Sequence, residues 1–254
     1  MKTKVVSLSL SLLGVLISHF TPLSSPRIAQ ASGELGVNKQ SSARISFVPR
    51  GDSPSPRRTQ SGASRHTLPG VCDGLPVLPE NGLGLTTNSA PSLFVYFAEG
   101  TTVEKAQLTL KSLDAEESEY YDTIVTLPKE ALSEEGGVVA FEVPTLESGL
   151  VLNQEYAWSL ILMCDGQLRP DSPILSGSLK RVDDVEVASQ IQQAPLVDQA
   201  IAYGNAGMWY DLLSTLAAIR LSDASDQAFN EHWSSVMDSV GLDVIASKPL
   251  LMMP

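Results

Sequence analysis

Between Leu75 and Val182 the chain carries seven short apolar or alternating runs, over 75–78, 93–97, 107–113, 121–127, 138–143, 156–164 and 174–182, each bounded by turn residues. Runs of this length are strand-sized. Gln107-Leu108-Thr109-Leu110-Lys111-Ser112-Leu113 alternates with period two, the mark of a strand with one buried face. None of the intervals between runs holds a long helical pattern of the kind parallel crossovers require, so antiparallel pairing is expected. The fold class expected for residues 71–183 is therefore an antiparallel β-sandwich.

Leu150, Tyr156 and Trp158, ahead of an apolar strand, sharpen this. Fibronectin-III-like and immunoglobulin-like sandwiches place a corner tyrosine in this way, with its hydroxyl tied back to the upstream backbone; an ordinary aromatic strand is the plainer alternative. From Asp184 the apolar period changes. Leu196, Ala200, Tyr203, Gly207 and Met208 begin a helical face, Tyr210, Leu213, Leu216, Ala217 and Arg220 continue it, and Phe229, Trp233, Val236, Met237 and Val240 form another that ends at Gly241. Pro195 fits the first turn of the first long helix. Tyr203, Gly207, Trp209, Leu212, Leu216 and Ile219 have the spacing of one tetratricopeptide-type hairpin, a unit that normally stacks in arrays. Residues 184–254 are thus expected to be an α-helical region after the sandwich. A lone hairpin has an apolar face to cover. Either the sandwich covers it, or part of it stays open as a partner groove anchored by Trp209, Tyr210 and Trp233.

The amino-terminal part reads differently. Lys2 and Lys4 precede an apolar stretch from Val5 to Ile17, and Ala29-Gln30-Ala31 follows as a small-x-small site. This is the pattern of a secretory signal peptide over residues 1–31, cleaved after Ala31. The 13-residue apolar core is shorter than the roughly 20 residues of a membrane span, and no later stretch is apolar enough to span. Residues 32–70 are rich in Ser, Pro, Gly and Arg and poor in apolar residues apart from Ile45-Ser46-Phe47-Val48, so a disordered basic arm is expected there. Export in turn favours a disulfide between the chain's two cysteines, Cys72 and Cys164; two buried thiols or a redox pair are the alternatives.

Charge excludes some partners. Cleavage removes Lys2, Lys4 and Arg27 and no acid, leaving 29 acids against 14 bases. Residues 71–254 hold 27 of those acids and eight bases, so the body should repel nucleic acid and anionic lipid. Catalytic sets are not found. The mature chain has two histidines: His66 in the arm, and His232 beside Trp233, where a packing role is expected. A Ser-His-Asp or Cys-His arrangement would need one of them. Gly82-Leu83-Gly84 lacks the third glycine of a dinucleotide loop. Arg50-Gly51-Asp52 is an adhesion tripeptide elsewhere, but here it sits in linker-like sequence. The acidic stretch from Asp114 to Asp122 lacks the glycine turn of a calcium loop and is read as a solvated hairpin. No cofactor and no metal are expected.

As a set, Cys72, Leu83-Gly84-Leu85-Thr86, Pro91-Ser92-Leu93-Phe94-Val95-Tyr96, Leu150, Tyr156, Trp158, Cys164-Asp165, Gly207-Met208-Trp209-Tyr210-Asp211, Leu216-Ala217-Ala218-Ile219-Arg220, Trp233 and Val240-Gly241-Leu242 resemble, in order and spacing, domain-of-unknown-function family 928, found mostly in cyanobacteria. The resemblance runs from about Arg50 to Leu250. It implies a fold and a lineage and carries no activity. The expected function is that of an exported, non-catalytic binding or scaffold module of the cell envelope, whose partner is an envelope protein or a glycan. An accessory factor for secretion or envelope assembly is the alternative, and a carboxylate-based glycan hydrolase the second.

Overall fold

The computed structural model describes residues 44–50, 70–113, 120–143, 149–222 and 226–251. All of them belong to one compact unit spanning Ala43–Pro254. The expected signal peptide, most of the expected arm and the acidic stretch 114–119 lie outside the described residues.

Nine strands are described: β1 (Leu75–Pro76), β2 (Leu83–Thr86), β3 (Ser92–Phe97), β4 (Lys105–Ser112), β5 (Tyr120–Thr126), β6 (Gly137–Glu142), β7 (Glu155–Met163), β8 (Ile174–Arg181) and β9 (Leu250–Leu251). A short helix, α1 (Lys129–Glu135), lies between β5 and β6. After β8 come α2 (Val185–Ile191), α3 (Leu196–Asn205), α4 (Trp209–Leu221) and α5 (Asp226–Ser239). One sheet has the order β1-β3-β6-β9 and the other β2-β8-β7-β4-β5. Most pairings are antiparallel; β2 runs parallel to β8, and β9 parallel to β6. The fold is thus mixed, two largely antiparallel sheets with helices.

The alternation seen in the sequence builds the core. On β4, Ala106, Leu108 and Leu110 are buried, and their partners across β7 are Leu162, Leu160 and Trp158. Beyond β7, Leu160 pairs with Leu175 of β8, while Trp158 faces Gly177, where a Cβ would come within 2.8 Å of the indole. By contrast, β3 is buried from Leu93 to Phe97 without alternation. A strand with both faces covered reads as a continuous apolar run; α4 packs on it and on β2. The Tyr156 hydroxyl accepts a hydrogen bond from the Val151 backbone N–H at 3.0 Å, the tie to upstream backbone that its position suggested.

The helices pack on the strands: Trp209, Leu212, Leu213, Leu216 and Trp233 join the strand side chains in one continuous core. One expectation needs correction: the arm is not structureless throughout. Residues 44–50 are packed, with Ile45 and Phe47 buried among the helices. The alternation Ile45-x-Phe47 supplies two apolar anchors in a stretch whose average composition is polar. The segment is pinned further along by Arg50, whose guanidinium pairs with Asp184.

Asp184 also caps α2, accepting the Val187 N–H at 3.0 Å. That backbone hydrogen bond, with help from Arg50, holds its carboxyl below the usual 3.8 against the opposing effect of burial. A lowered folded-state pKa means the contribution to stability is present above the unfolded value and is lost as pH falls through the folded one. Asp184→Ala is therefore expected to cost about 1 kcal/mol at neutral pH, the usual worth of such a cap. In urea titrations the gap between wild type and variant should close as pH falls below 3.8; a gap unchanged at low pH would refute the assignment.

Candidate functional site

The place where chemistry-bearing side chains converge is the turn between β2 and β3, where α4 crosses it. Docking of α4 depends on Gly84. A Cβ there would lie 2.3 Å from the Tyr210 ring, so only glycine lets that ring rest on β2. The seated Tyr210 hydroxyl accepts from Trp158 Nε1 at 3.0 Å and donates to the Ser178 carbonyl at 3.2 Å, joining α4 to β7 and β8. Burial pushes this hydroxyl far above the usual tyrosine pKa, so it stays a neutral linking group.

One residue further along α4, Asp211 grips the turn. One carboxylate oxygen accepts the Thr87 backbone N–H and the other the Thr87 hydroxyl, both at 2.9 Å. The turn is also held by its own side chains: Asn88 N–H donates to Thr86 Oγ1, and Ala90 N–H to Asn88 Oδ1, both at 3.0 Å. Asp211 is only 8 % exposed. Burial raises its carboxyl pKa, opposed by the hydrogen bonds from Thr87 and Thr86. The nearby Tyr203 hydroxyl is raised as well, first by burial and then by the Asp211 charge.

Against this network lies a pocket of ≈ 220 Å³. Asn88, Gln199, Tyr203, Asp211 and Ser214 give it hydrogen-bonding walls, and Pro91, Leu196 and Ala218 give it apolar ones. Among the described residues no Lys, Arg or His lines it, and the carboxylate that lines it is that of Asp211. Among the described residues no group of three or more His, Cys, Asp or Glu is placed to hold a metal ion.

Apart from Tyr210, the residues singled out from the sequence fall elsewhere. Cys72 and Cys164 are joined as a disulfide, with Cα atoms 5.6 Å apart, a normal separation for such a bond. Trp209, Tyr210 and Trp233 do not form an open groove; they are 0 %, 1 % and 1 % exposed. Trp209 is covered by Phe47, with ring centroids 4.8 Å apart in an edge contact, and its Nε1 donates to the Val77 carbonyl. Trp233 stacks on Phe229 and donates towards the Ile245 carbonyl. Of these three only Tyr210 touches the pocket. His232 is half-buried, and the described part of Arg50-Gly51-Asp52 is Arg50, whose side chain is committed to Asp184.

Asp211, Thr87 and Gln199 were not singled out by the sequence reading. One signal was available for Asp211. The helix around it is apolar on all sides (Trp209, Tyr210, Leu212, Leu213, Leu216, Ala217, Ile219), and a lone carboxylate in such a helix must meet a donor inside the protein. Thr87 and Gln199 carry no such signal.

The model of the family described as Domain of Unknown Function (DUF928) matches residues 60–250. No curated protein and no solved structure matches the chain.

Proposed function

Because the chain belongs to the DUF928 family, whose description names no activity, its role has to be read from its own residues, and we propose that it is an exported, non-catalytic binding module of the cell envelope whose pocket receives a neutral, hydroxyl-bearing group such as the end of a glycan. The composition of the pocket wall carries this reading. Amide, hydroxyl and carboxylate groups supply both donors and acceptors, apolar patches beside them suit the C–H faces of a sugar ring, and among the described residues of the wall no base stands to pair with an anion. The charged start, the apolar core and Ala29-Gln30-Ala31 support export, with cleavage near Ala31; the Cys72–Cys164 bond suits an oxidising compartment.

The reading extends to fold kinship. A sandwich of the fibronectin-III or immunoglobulin type is supported by the sheet orders, by β2 running parallel to β8, and by the Tyr156 tie at the start of β7. A tetratricopeptide-like hairpin is supported by α3 and α4 packing together around Gly207, whose φ of 72° is the left-handed turn that links them.

The test uses mature chain isolated from the envelope, expected to begin at Ser32 by mass spectrometry. It is titrated calorimetrically with neutral envelope oligosaccharides, beside two pocket-wall variants, Ser214→Leu and Gln199→Ala. Neither side chain belongs to the apolar core, so Ser214→Leu should keep its melting temperature, and Gln199→Ala, which gives up the bond from Gln199 Nε2 to the Ala194 carbonyl at 2.7 Å, should lose no more than about 1 kcal/mol. Affinity for a bound glycan should fall at least about tenfold, or roughly 1.4 kcal/mol. Binding indifferent to both variants, or no binding of any neutral glycan, would sink the proposal.

A further inference from the structure

Residues 44–50 lie on the helices as a docked peptide would. The Val48 backbone N–H donates to the Gly204 carbonyl at 3.0 Å, and the Phe47 N–H to Ser239 Oγ at 3.2 Å. Ile45 is fully buried, and the Phe47 ring stands edge-on to Trp209. Main-chain hydrogen bonds combined with pockets for alternate side chains make up the mode by which extended peptides are recognised. The receiving surface is shaped for it. A Cβ on Gly204 would come within 2.3 Å of the Ser46 carbonyl, and one on Gly207 within 3.1 Å of the Val48 carbonyl. Glycine weakens a helix relative to alanine, so the Gly204 position is accounted for by the close passage of this segment rather than by α3 itself.

We infer that this surface is a docking groove for an extended Ile-x-Phe segment, and that it takes the segment of a second copy of the chain as well as its own. Two observations favour that occupant. The ion pair, hydrogen bonds and ring contact of residues 44–50 run to positions far along the chain, Asp184, Gly204, Trp209 and Ser239. Its link to the rest of the body is the stretch 51–69, whose 19 positions reach at most roughly 65 Å when extended. Charge adds to this: residues 32–70 carry six bases and two acids, whereas residues 71–254 carry 27 acids and eight bases, so each copy's arm is attracted to the other's body. The tether keeps the chain's own segment at an effective concentration near millimolar, which holds the protein monomeric when dilute. Exchange becomes visible when docking within the chain is blocked.

The experiment pairs two full-length mature variants. In Gly204→Leu the new side chain occupies the space of the Ser46 carbonyl, so the groove is closed and the segment is free. In Phe47→Asp the groove is open and the segment cannot dock. Each alone should be monomeric by light scattering, and a 1:1 mixture at tens of micromolar should give a heterodimer of twice the mass. If both variants show native circular dichroism and the mixture stays monomeric, the inference fails. A measurement on wild type needs neither variant. Taken towards millimolar concentration, it should show a dimer fraction that grows with concentration and is abolished by excess peptide of residues 44–50. A wild-type dimer that the peptide leaves intact, or no dimer at all, would likewise overturn it.

Discussion

Trp209→Ala is expected to lower the stability of the protein by about 3–5 kcal/mol, the usual cost of emptying a large buried aromatic site. The side chain is fully buried, and three dissimilar neighbours depend on it. Phe47 loses the ring it stands against, which loosens the 44–50 segment. The Val77 carbonyl loses the indole N–H at 2.9 Å. The single core shared by strands and helices acquires a hole where α4 begins. For a chain of this size each kcal/mol moves the melting temperature by roughly 2–4 °C, so a drop of about 6–20 °C should appear in a thermal melt. Trp209→Phe separates the contributions. It keeps most of the ring and leaves the Val77 carbonyl unpaired, for which about 1–3 kcal/mol is expected. A Trp209→Ala protein that melts with the wild type would show that the ring is not a core element.

The second large effect is that of the disulfide. Cys72 precedes β1, and Cys164 directly follows β7, so the bond ties a strand of one sheet to a strand of the other across a sequence separation of 92. Closing a loop of that length removes freedom from the unfolded chain, worth about 4–5 kcal/mol in the entropy model. Replacing both cysteines by serine should lower stability by that order, read from the urea midpoint, and wild type in reductant should shift in the same direction. The slope of the urea transition should steepen too, because the uncrosslinked chain exposes more surface on unfolding. An unchanged midpoint would mean that the bond contributes nothing.

Strands with one buried face were legible in the sequence. β4 and β7 alternate, and the limits of β4, β7 and β8 lie within about two residues of the expected runs. β2 was not, because Leu83-Gly84-Leu85-Thr86 is buried at every position and has no period to detect; its partner and its parallel direction are set by contacts with β8 and α4. β9 has two residues, too few for any pattern. The helical periods of α3 and α5 were clear, that of α4 was blurred because the helix is apolar on all sides, and the stop at Gly241, whose φ is 72°, was legible. What the period could not give was the other side of each face. Trp209, Tyr210 and Trp233 stand out as aromatics equally well in a groove and in a core, and only the positions of Phe47, Trp158 and Phe229 decide for the core. The pocket was illegible for the same reason. Asn88, Gln199 and Asp211 come from three elements that meet only once α4 has settled on Gly84.

The parallel pairing of β2 with β8 has a consequence for timing. Leu83 finds its partner in Ser178, 95 positions later, and the helix that seals β2 follows later still. A chain emerging end first therefore carries an early strand with no ladder to join until nearly all of it has appeared. Such long-range closure makes folding slow, on the scale of milliseconds to seconds, and leaves the unfinished chain pliant. In the export proposed above, where the chain would be threaded through a narrow passage before it takes shape, that delay is an asset.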